Sequence, residues 1–382
     1  MDFALDEEQQ ALVNAARDFA KSELAPHYRQ RELDARIDRN AMRRMGELGF
    51  FGVELGEEYG GLGLDAVTAG LVLEALCGDD LNFGYVSVTI SLLGQILQQH
   101  GRPDTVRPWI EGMLAGTLLP AIALTEPGCG SDAARLTLTA RRDGDEFVLS
   151  GEKTSISMAT QADFCVLFAR TGTRESRARG ISAFLVPLDD ERIHKTGFDD
   201  HGTISVGRGS LFFDHVRVPA GHLIGELDKG FVQVMQGFDY SRALLGILCL
   251  AVARCSLDEA WEHARTREAF GTALASFQGV TFPLAEAETH LLAGRLMCLY
   301  TLWLRDNDNP HTAEAAMCKW WGPKLAYDIV NTCLLTHGHG GYSKELPLEQ
   351  RLRDLLGLQI GDGTAQIMKL IIARTHVGHL AA

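Results

Sequence analysis

Two changes of hydrophobic period limit what this chain can fold into more than any other feature of the sequence. As far as about residue 118, apolar residues recur at helical spacing: Leu12, Ala15, Phe19, then Met42, Met45, Leu48, then Leu71, Leu73, Leu76. Around Pro120 the texture changes. The segments LTLTARRDGDEFVLSGEKTSIS (136–157), DFCVLFART (163–171), GISAFLVPL (180–188) and SLFFDHVRVP (210–219) alternate, are rich in β-branched and aromatic residues, and are broken by Gly and Asp. After Gly225 the helical spacing returns, in four long segments near 229–265, 280–305, 310–337 and 347–379. A helical stripe and a strand face bury themselves in different layers, so the order α, β, α predicts a multidomain α+β chain. Expected are an N-terminal helical domain of five or six helices (1–118), a middle antiparallel β domain, barrel or sandwich (119–225), and a C-terminal four-helix bundle (226–382). Arg142, Asp143, Gly144 and Asp145 predict a tight hairpin inside the β domain.

The longest apolar run, ALLGILCLAVA (243–253), lies between Arg242 and Arg254 and falls well short of the roughly 20 residues a bilayer needs. A buried helix is expected there, and no membrane span. The N-terminal MDFALDEEQQALVNAARDFA is acidic and amphipathic, unlike a secretory signal. With a net charge of −14 and no basic stripe, the chain is not built to hold nucleic acid. An anionic ligand would need local donors. The eight cysteines are scattered without CxxC spacing, several inside apolar runs, which predicts reduced thiols and a cytoplasmic location.

Four stretches carry more chemistry than structural filler needs. In ALTEPGCGSD (123–132), Gly128 and Gly130 let backbone amides approach a ligand and Thr125 and Ser131 can donate to its oxygens; a domain-joining loop has the same composition. In RTREAFGTALASFQ (265–278), Arg267 is suited to a pyrophosphate and Phe270 to the face of a ring, with Gln278 following; a helix stopped at Gly271 beside a solvated Arg is the plainer alternative. In THGHGGYSKELP (336–347), His337 and His339 lack a carboxylate or thiolate at helical distance, so a phosphate-accepting glycine loop is a better reading than a metal site. In QIGDGTAQI (359–367), Asp362 either caps the helix AQIMKLIIAR or does chemistry, and Gly361 and Gly363 on its flanks suit a planar ligand lying against the backbone.

Taken in order, together with EEYGGLGLD (57–65), FFDHVRVP (212–219) and RLRDLLGLQIGDGTAQI (351–367), these stretches resemble the acyl-CoA dehydrogenase family of flavoproteins over nearly the whole chain. The resemblance implies a tetramer formed through the C-terminal domain, and FAD as cofactor. It assigns Leu124 and Thr125 to the flavin ring, Gly130 and Ser131 to FAD or CoA phosphate, and Ser157 to the neighbourhood of flavin N5. Arg267, Phe270 and Gln278 match the set that holds the FAD of a neighbouring subunit; Gly338 and Gly341 match a loop near its phosphates; Thr364 and Gln366 match FAD contacts just after the catalytic acid. Tyr85, Val86 and Thr89 lie at acyl-pocket positions, Asp239 and Arg242 near the CoA pantetheine and adenine, and Gly363 beside the substrate. Asp362 takes the place of the base that removes the α-proton of an acyl thioester while a β-hydride passes to flavin N5. A carbon acid this weak needs donors on the carbonyl oxygen as the enolate develops, and the family supplies them from an FAD ribitol hydroxyl and the base residue's own N–H.

The chain departs from the family pattern in four places. The base is aspartate where glutamate is usual, which withdraws the carboxylate by one methylene and favours an acyl group that brings its carbons nearer, such as a ring. Ser155 stands in place of the tryptophan that usually covers the flavin. His337 and His339 replace uncharged residues. GFDDHGTISVGRGS (197–210) lacks the usual Gly-x-Arg pattern. A second base position used by some members is Ser241 here, which cannot act. The expected function is therefore FAD-dependent dehydrogenation of an acyl-CoA with a cyclic, branched or short acyl group, such as cyclohexanecarboxyl-CoA or cyclohexenecarboxyl-CoA, with an electron-transfer flavoprotein as acceptor. Two alternatives stand beside it: an acyl group on a carrier protein, which would want a basic pocket mouth, and a flavin-binding protein without dehydrogenase activity, which would not need Asp362.

Overall fold

The computed structural model describes residues 4–378. Six helices come first: α1 (Glu7–Phe19), α2 (Tyr28–Asp34), α3 (Arg39–Glu47), α4 (Ala66–Cys77), α5 (Leu81–His100) and α6 (Pro103–Leu114). Aspartate starts four of them. Asp6, Asp38, Asp65 and Asp80 each accept amide hydrogen bonds at the N-cap of α1, α3, α4 and α5, and Asp6 forms a reciprocal capping box with Gln9. Helix α5 is buried along most of its length, as its continuous apolar run demands.

The middle of the chain forms strands β1 (Pro120–Ala123), β2 (Thr139–Asp143), β3 (Glu146–Ile156), β4 (Phe164–Arg170), β5 (Ile181–Pro187), β6 (Ile193–Gly197), β7 (Gly209–Pro219) and β8 (Leu223–Ile224). They pair in the order β6-β7-β3-β2-β4-β5-β8, with β1 on β4. The expected hairpin joins β2 to β3, closed by Asp143 opposite Glu146 with Gly144 at φ +62°. The sheet is not wholly antiparallel. β1 runs parallel to β4, Pro120 facing Phe164, and β2 meets β4 in parallel at Thr139 and Arg170. Parallel neighbours need a long connection. The 124–138 loop and the β2–β3 hairpin provide it, and neither announces its direction in the sequence. Strand β4 is buried on both faces, which explains its unbroken apolar run.

The C-terminal part comprises α7 (Gly230–Thr266), the short hairpin β9 (Glu268–Ala269) and β10 (Thr272–Ala273), α8 (Gln278–Asp306), α9 (Thr312–Thr336), the single turn α10 (His339–Tyr342), α11 (Leu348–Leu358) and α12 (Ala365–Val377). Residues 243–253 are buried throughout within α7. Among the described residues no helix is long and apolar enough to cross a membrane. The expected fourth long helix is two helices. Asp362 (φ +54°) and Gly363 (φ +110°) sit where no right-handed helix passes, so the backbone turns between α11 and α12.

That turn is held in place by α11. Asp354 accepts from the Tyr28 hydroxyl at 2.6 Å, from Asn82 Nδ2 at 3.2 Å and from the Thr203 amide, joining α2, α5 and the loop before β7 at one buried carboxyl. Burial pushes that carboxyl up to about 7.

Candidate active site

Asp362 holds a backbone conformation that costs a non-glycine residue on the order of 1 kcal/mol. It does not spend its carboxylate on capping. Thr364 is the N-cap of α12, its hydroxyl accepting from the Ile367 amide at 3.5 Å. The Asp362 carboxyl instead interacts electrostatically with charged side chains of other elements. Desolvation raises its pKa above the ordinary aspartate value, against the opposing charges of Lys319 on α9 and Arg242 on α7.

Tyr85, on α5, lies within the electrostatic reach of Asp362. Burial, reinforced by the Asp362 charge, lifts its phenol far above the usual range, so it is neutral. Ser157, just past the end of β3, donates to the Tyr85 hydroxyl at 3.2 Å. Ser157 and Tyr85 are thus in contact, and Asp362 lies within the electrostatic reach of Tyr85 and of Arg242. Val86 is fully buried beside this group, and the Thr89 hydroxyl is committed to the Tyr85 carbonyl at 2.9 Å.

Arg242 and Asp239 do not make a surface pair. Arg242 is 6% exposed, donates to Asp239 at 3.1 Å and lies over the Phe238 ring at 5.5 Å, while Asp239 also accepts from Thr312 at 2.6 Å. Among the described residues the Nε of Arg242 has no hydrogen-bond partner. A Cβ on Gly363 would stand 2.4 Å from the Met368 methyl, the movable end of a flexible side chain, so it is the backbone, at φ +110°, that favours glycine there.

The 123–132 loop owes its shape to a buried ion pair. Lys153 on β3 is fully buried and donates to the Leu124 carbonyl at 2.9 Å and to Glu126 at 2.8 Å. Glu126 also accepts from the Thr137 amide and hydroxyl and the Leu138 amide. Burial alone would raise this carboxyl, but Lys153 and those donors hold it below the ordinary glutamate value. The Thr154 amide donates to the Thr125 carbonyl at 2.9 Å, completing the anchor. Leu124 is buried, whereas Gly130 and Ser131 form an exposed lip. Nothing lies within 4 Å of where a Cβ would stand on Gly128 or Gly130. Ser155 is exposed, at φ +56°.

The remaining candidates form a second patch where α7 and α9 end. The β9–β10 hairpin holds Phe270 at φ +54° with 98% of its surface exposed, and Arg267 and Gln278 beside the hairpin are exposed too. Gly338, at φ +59°, has open space around it. Gly341 differs: a Cβ there would meet the Leu334 carbonyl at 2.2 Å, so this glycine serves packing against α9. His337 stacks on His263 with centroids 4.3 Å apart and bonds the Cys333 carbonyl at 2.8 Å. Among the described residues no three His, Cys, Asp or Glu side chains converge as metal ligands would. Gln366 is exposed on the first turn of α12. A phenylalanine held out in solvent at a strained φ, with a guanidinium and an open glycine nearby, fits a large planar group bearing phosphates. FAD is such a group, and the glycine lip with its hydroxyls fits it as well.

Lys319, Lys153 and Glu126 are absent from the residues the sequence singles out. A lysine that will be buried reads like any surface lysine, and no spacing marks it.

Comparison with known proteins names the fold. The acyl-CoA dehydrogenase N-terminal, middle and C-terminal domains match residues 6–117, 121–216 and 228–376. The bovine mitochondrial short-chain specific acyl-CoA dehydrogenase is 36% identical, over 98% of this chain and 90% of its own. The caffeyl-CoA reductase-Etf complex subunit CarC of Acetobacterium woodii is 32% identical, over 96% of this chain and 97% of its own. The butyryl-CoA dehydrogenase structure from Megasphaera elsdenii superimposes with a TM-score of 0.94 at 28% identity, covering 99% of this chain and 100% of that one. With all three domains present in order and relatives alike from end to end, the chain belongs to the acyl-CoA dehydrogenase family of FAD-dependent oxidoreductases.

Proposed function

We propose that this enzyme oxidises a compact acyl-CoA thioester, with Asp362 as the base that takes the α-proton. The observation that carries the reading is the state of Asp362: its carboxyl is free of capping duty, desolvated, and in the field of Lys319 and Arg242 from other elements. Desolvation draws its basicity toward that of the weak carbon acid it must serve. In this reading the amide of Asp362 donates to the thioester oxygen as the enolate develops. Arg242 and Asp239 hold the CoA side, and Leu124, Thr125, Ser131 and Ser157 receive the flavin. The cofactor's part is to accept the β-hydride at flavin N5. Arg267, Phe270, Gln278 and Gly338 reach the FAD of a second subunit in a homotetramer, and an electron-transfer flavoprotein takes the electrons onward, as the Etf-associated relative suggests.

Two features favour a cyclic, branched or short acyl group. Aspartate falls short of glutamate by about 1.5 Å, against the roughly 3 Å separation proton transfer needs. Tyr85, a bulky side chain at an acyl-pocket position of the family, disfavours a long straight chain. Cyclohexanecarboxyl-CoA and cyclohexenecarboxyl-CoA meet both demands, because ring carbons sit closer to a retracted base. The test is anaerobic bleaching of the bound flavin by a panel of cyclohexanecarboxyl-, cyclohexenecarboxyl-, butyryl- and isobutyryl-CoA. Fastest bleaching by the ring compounds supports the reading. Fastest bleaching by butyryl-CoA removes the cyclic substrate, and no bleaching by any of the four removes the dehydrogenase.

A further inference from the structure

We propose that Lys319 is a positioning residue of the reaction: its buried ammonium clamps the turn that carries Asp362 and supplies the counter-charge that keeps that carboxylate ionised. This rests on the reading of Asp362 as the base and adds what holds and charges it.

Lys319 is 1% exposed in the middle of α9, where an unpaired ammonium would be expensive. Its Nζ donates to the Leu358 carbonyl at 2.8 Å and the Gly363 carbonyl at 3.2 Å. Those two carbonyls bracket the turn: Leu358 ends α11 and Gly363 follows Asp362. The clamp therefore fixes both sides of a residue held at positive φ.

Two neutral carbonyls use two of three N–H donors and leave the charge itself unanswered. The carboxylate whose field Lys319 feels is that of Asp362. Burial pulls the ammonium's pKa down and Asp362 opposes that fall; reciprocally, burial pushes Asp362 up and Lys319 is the larger of the two opposing charges. Other groups face Asp362 from each neighbouring element. Arg242 on α7 is cationic but shared with Asp239, whereas Tyr85 on α5 is neutral, backed by Ser157 and lying in the field of Arg208. Cys249 on α7, beside Lys319, is a neutral thiol pushed up to about 12 by burial. Of Lys319 and Arg242, the two cations that oppose the Asp362 shift, Lys319 is thus the one with no salt bridge of its own among the described residues. A base with a raised pKa is useful only if enough of it is ionised when substrate arrives, and Lys319 sets that fraction.

The experiment separates the clamp from the charge. Lys319→Gln keeps N–H donors for the carbonyls but is neutral, Lys319→Arg keeps the charge, and Lys319→Met loses both. Each holoenzyme is measured for the pH dependence of kcat/KM with butyryl-CoA and cyclohexanecarboxyl-CoA. The protonated-carboxyl infrared band of Asp362 is followed in parallel, by difference against the matching Asp362→Asn protein. Removing a positive neighbour raises the carboxyl pKa, so the acid limb and the infrared titration of Lys319→Gln should both move up by about one pH unit. The same displacement is expected in Lys319→Met, and none in Lys319→Arg. Should Lys319→Met not fold, Lys319→Gln carries the comparison. An acid limb and band in Lys319→Gln that coincide with wild type overturn the proposal, leaving a lysine that only packs. Failure of the underlying reading looks different: Asp362→Asn would then turn over like wild type.

Discussion

Asp362 differs from the usual glutamate by a single methylene, and the consequences are measurable. Asp362→Asn should retain FAD, because the substitution keeps the size and backbone of the turn, and should lose about 10³-fold or more in kcat if Asp362 is the base. Stopped-flow flavin reduction checks this, and near-normal reduction would disprove the role. Asp362→Glu tests the geometry: the longer arm should improve straight-chain thioesters and impair ring compounds, while equal loss on both would count against a reach argument. A base acts in its ionised form, so the proposed role predicts that kcat/KM of the wild type rises with pH through a pKa lying above the ordinary aspartate value. Tyr85 is the proposed limit on acyl length. Tyr85→Val should raise kcat/KM for octanoyl-CoA relative to butyryl-CoA, and an unchanged ratio would show that another residue limits chain length. The sequence exposed Asp362 because glycines flank a lone acid before an apolar run. It hid Lys319, whose burial comes from α9 packing beneath the turn, a contact made across more than forty residues.

Elements determine whether such residues arrive together. The 123–132 loop has few apolar side chains to hold it, and its order comes from Glu126 and Lys153, which tie it to β3 and the start of β2. Losing one partner of a buried pair leaves the other charge uncompensated, at a cost of about 3–5 kcal/mol. Lys153→Met should therefore lower the urea midpoint and release FAD on gel filtration. Adding Glu126→Leu should cost far less than a second independent loss. Additive losses would mean the two side chains stabilise the loop separately. The strands around this loop were legible from their alternation, and the β2–β3 hairpin from its Asp-Gly pair. The parallel β1–β4 pairing was not, because direction follows from how the chain enters from α6. The break between α11 and α12 was partly written in glycines at 357, 361 and 363, but the apolar periodicity runs through it and reads as one helix.

At the scale of the molecule, the order of helical, strand and helical periods was legible because each period suits a different layer. What the sequence could not show is where the three parts lock, at Asp354 against Tyr28, Asn82 and Thr203, since those partners lie up to 326 residues apart. The second patch stays exposed in the single chain. Phe270 at 98% exposure, Leu335 at 68% and Tyr342 at 80% leave apolar surface in solvent around Arg267 and Gly338. If each FAD is held between subunits, cofactor retention and assembly are linked by mass action. Light scattering should then give about four times the 41.8 kDa chain mass, and serial dilution should release FAD in step with subunit dissociation, read by the rise in flavin fluorescence. Phe270→Ala and Arg267→Ala, each far from Asp362 in sequence, should shift that release to higher protein concentration by about tenfold, the effect of losing roughly 1.4 kcal/mol. Release that does not depend on protein concentration would place the whole FAD site within one chain and leave the exposed phenylalanine without this role.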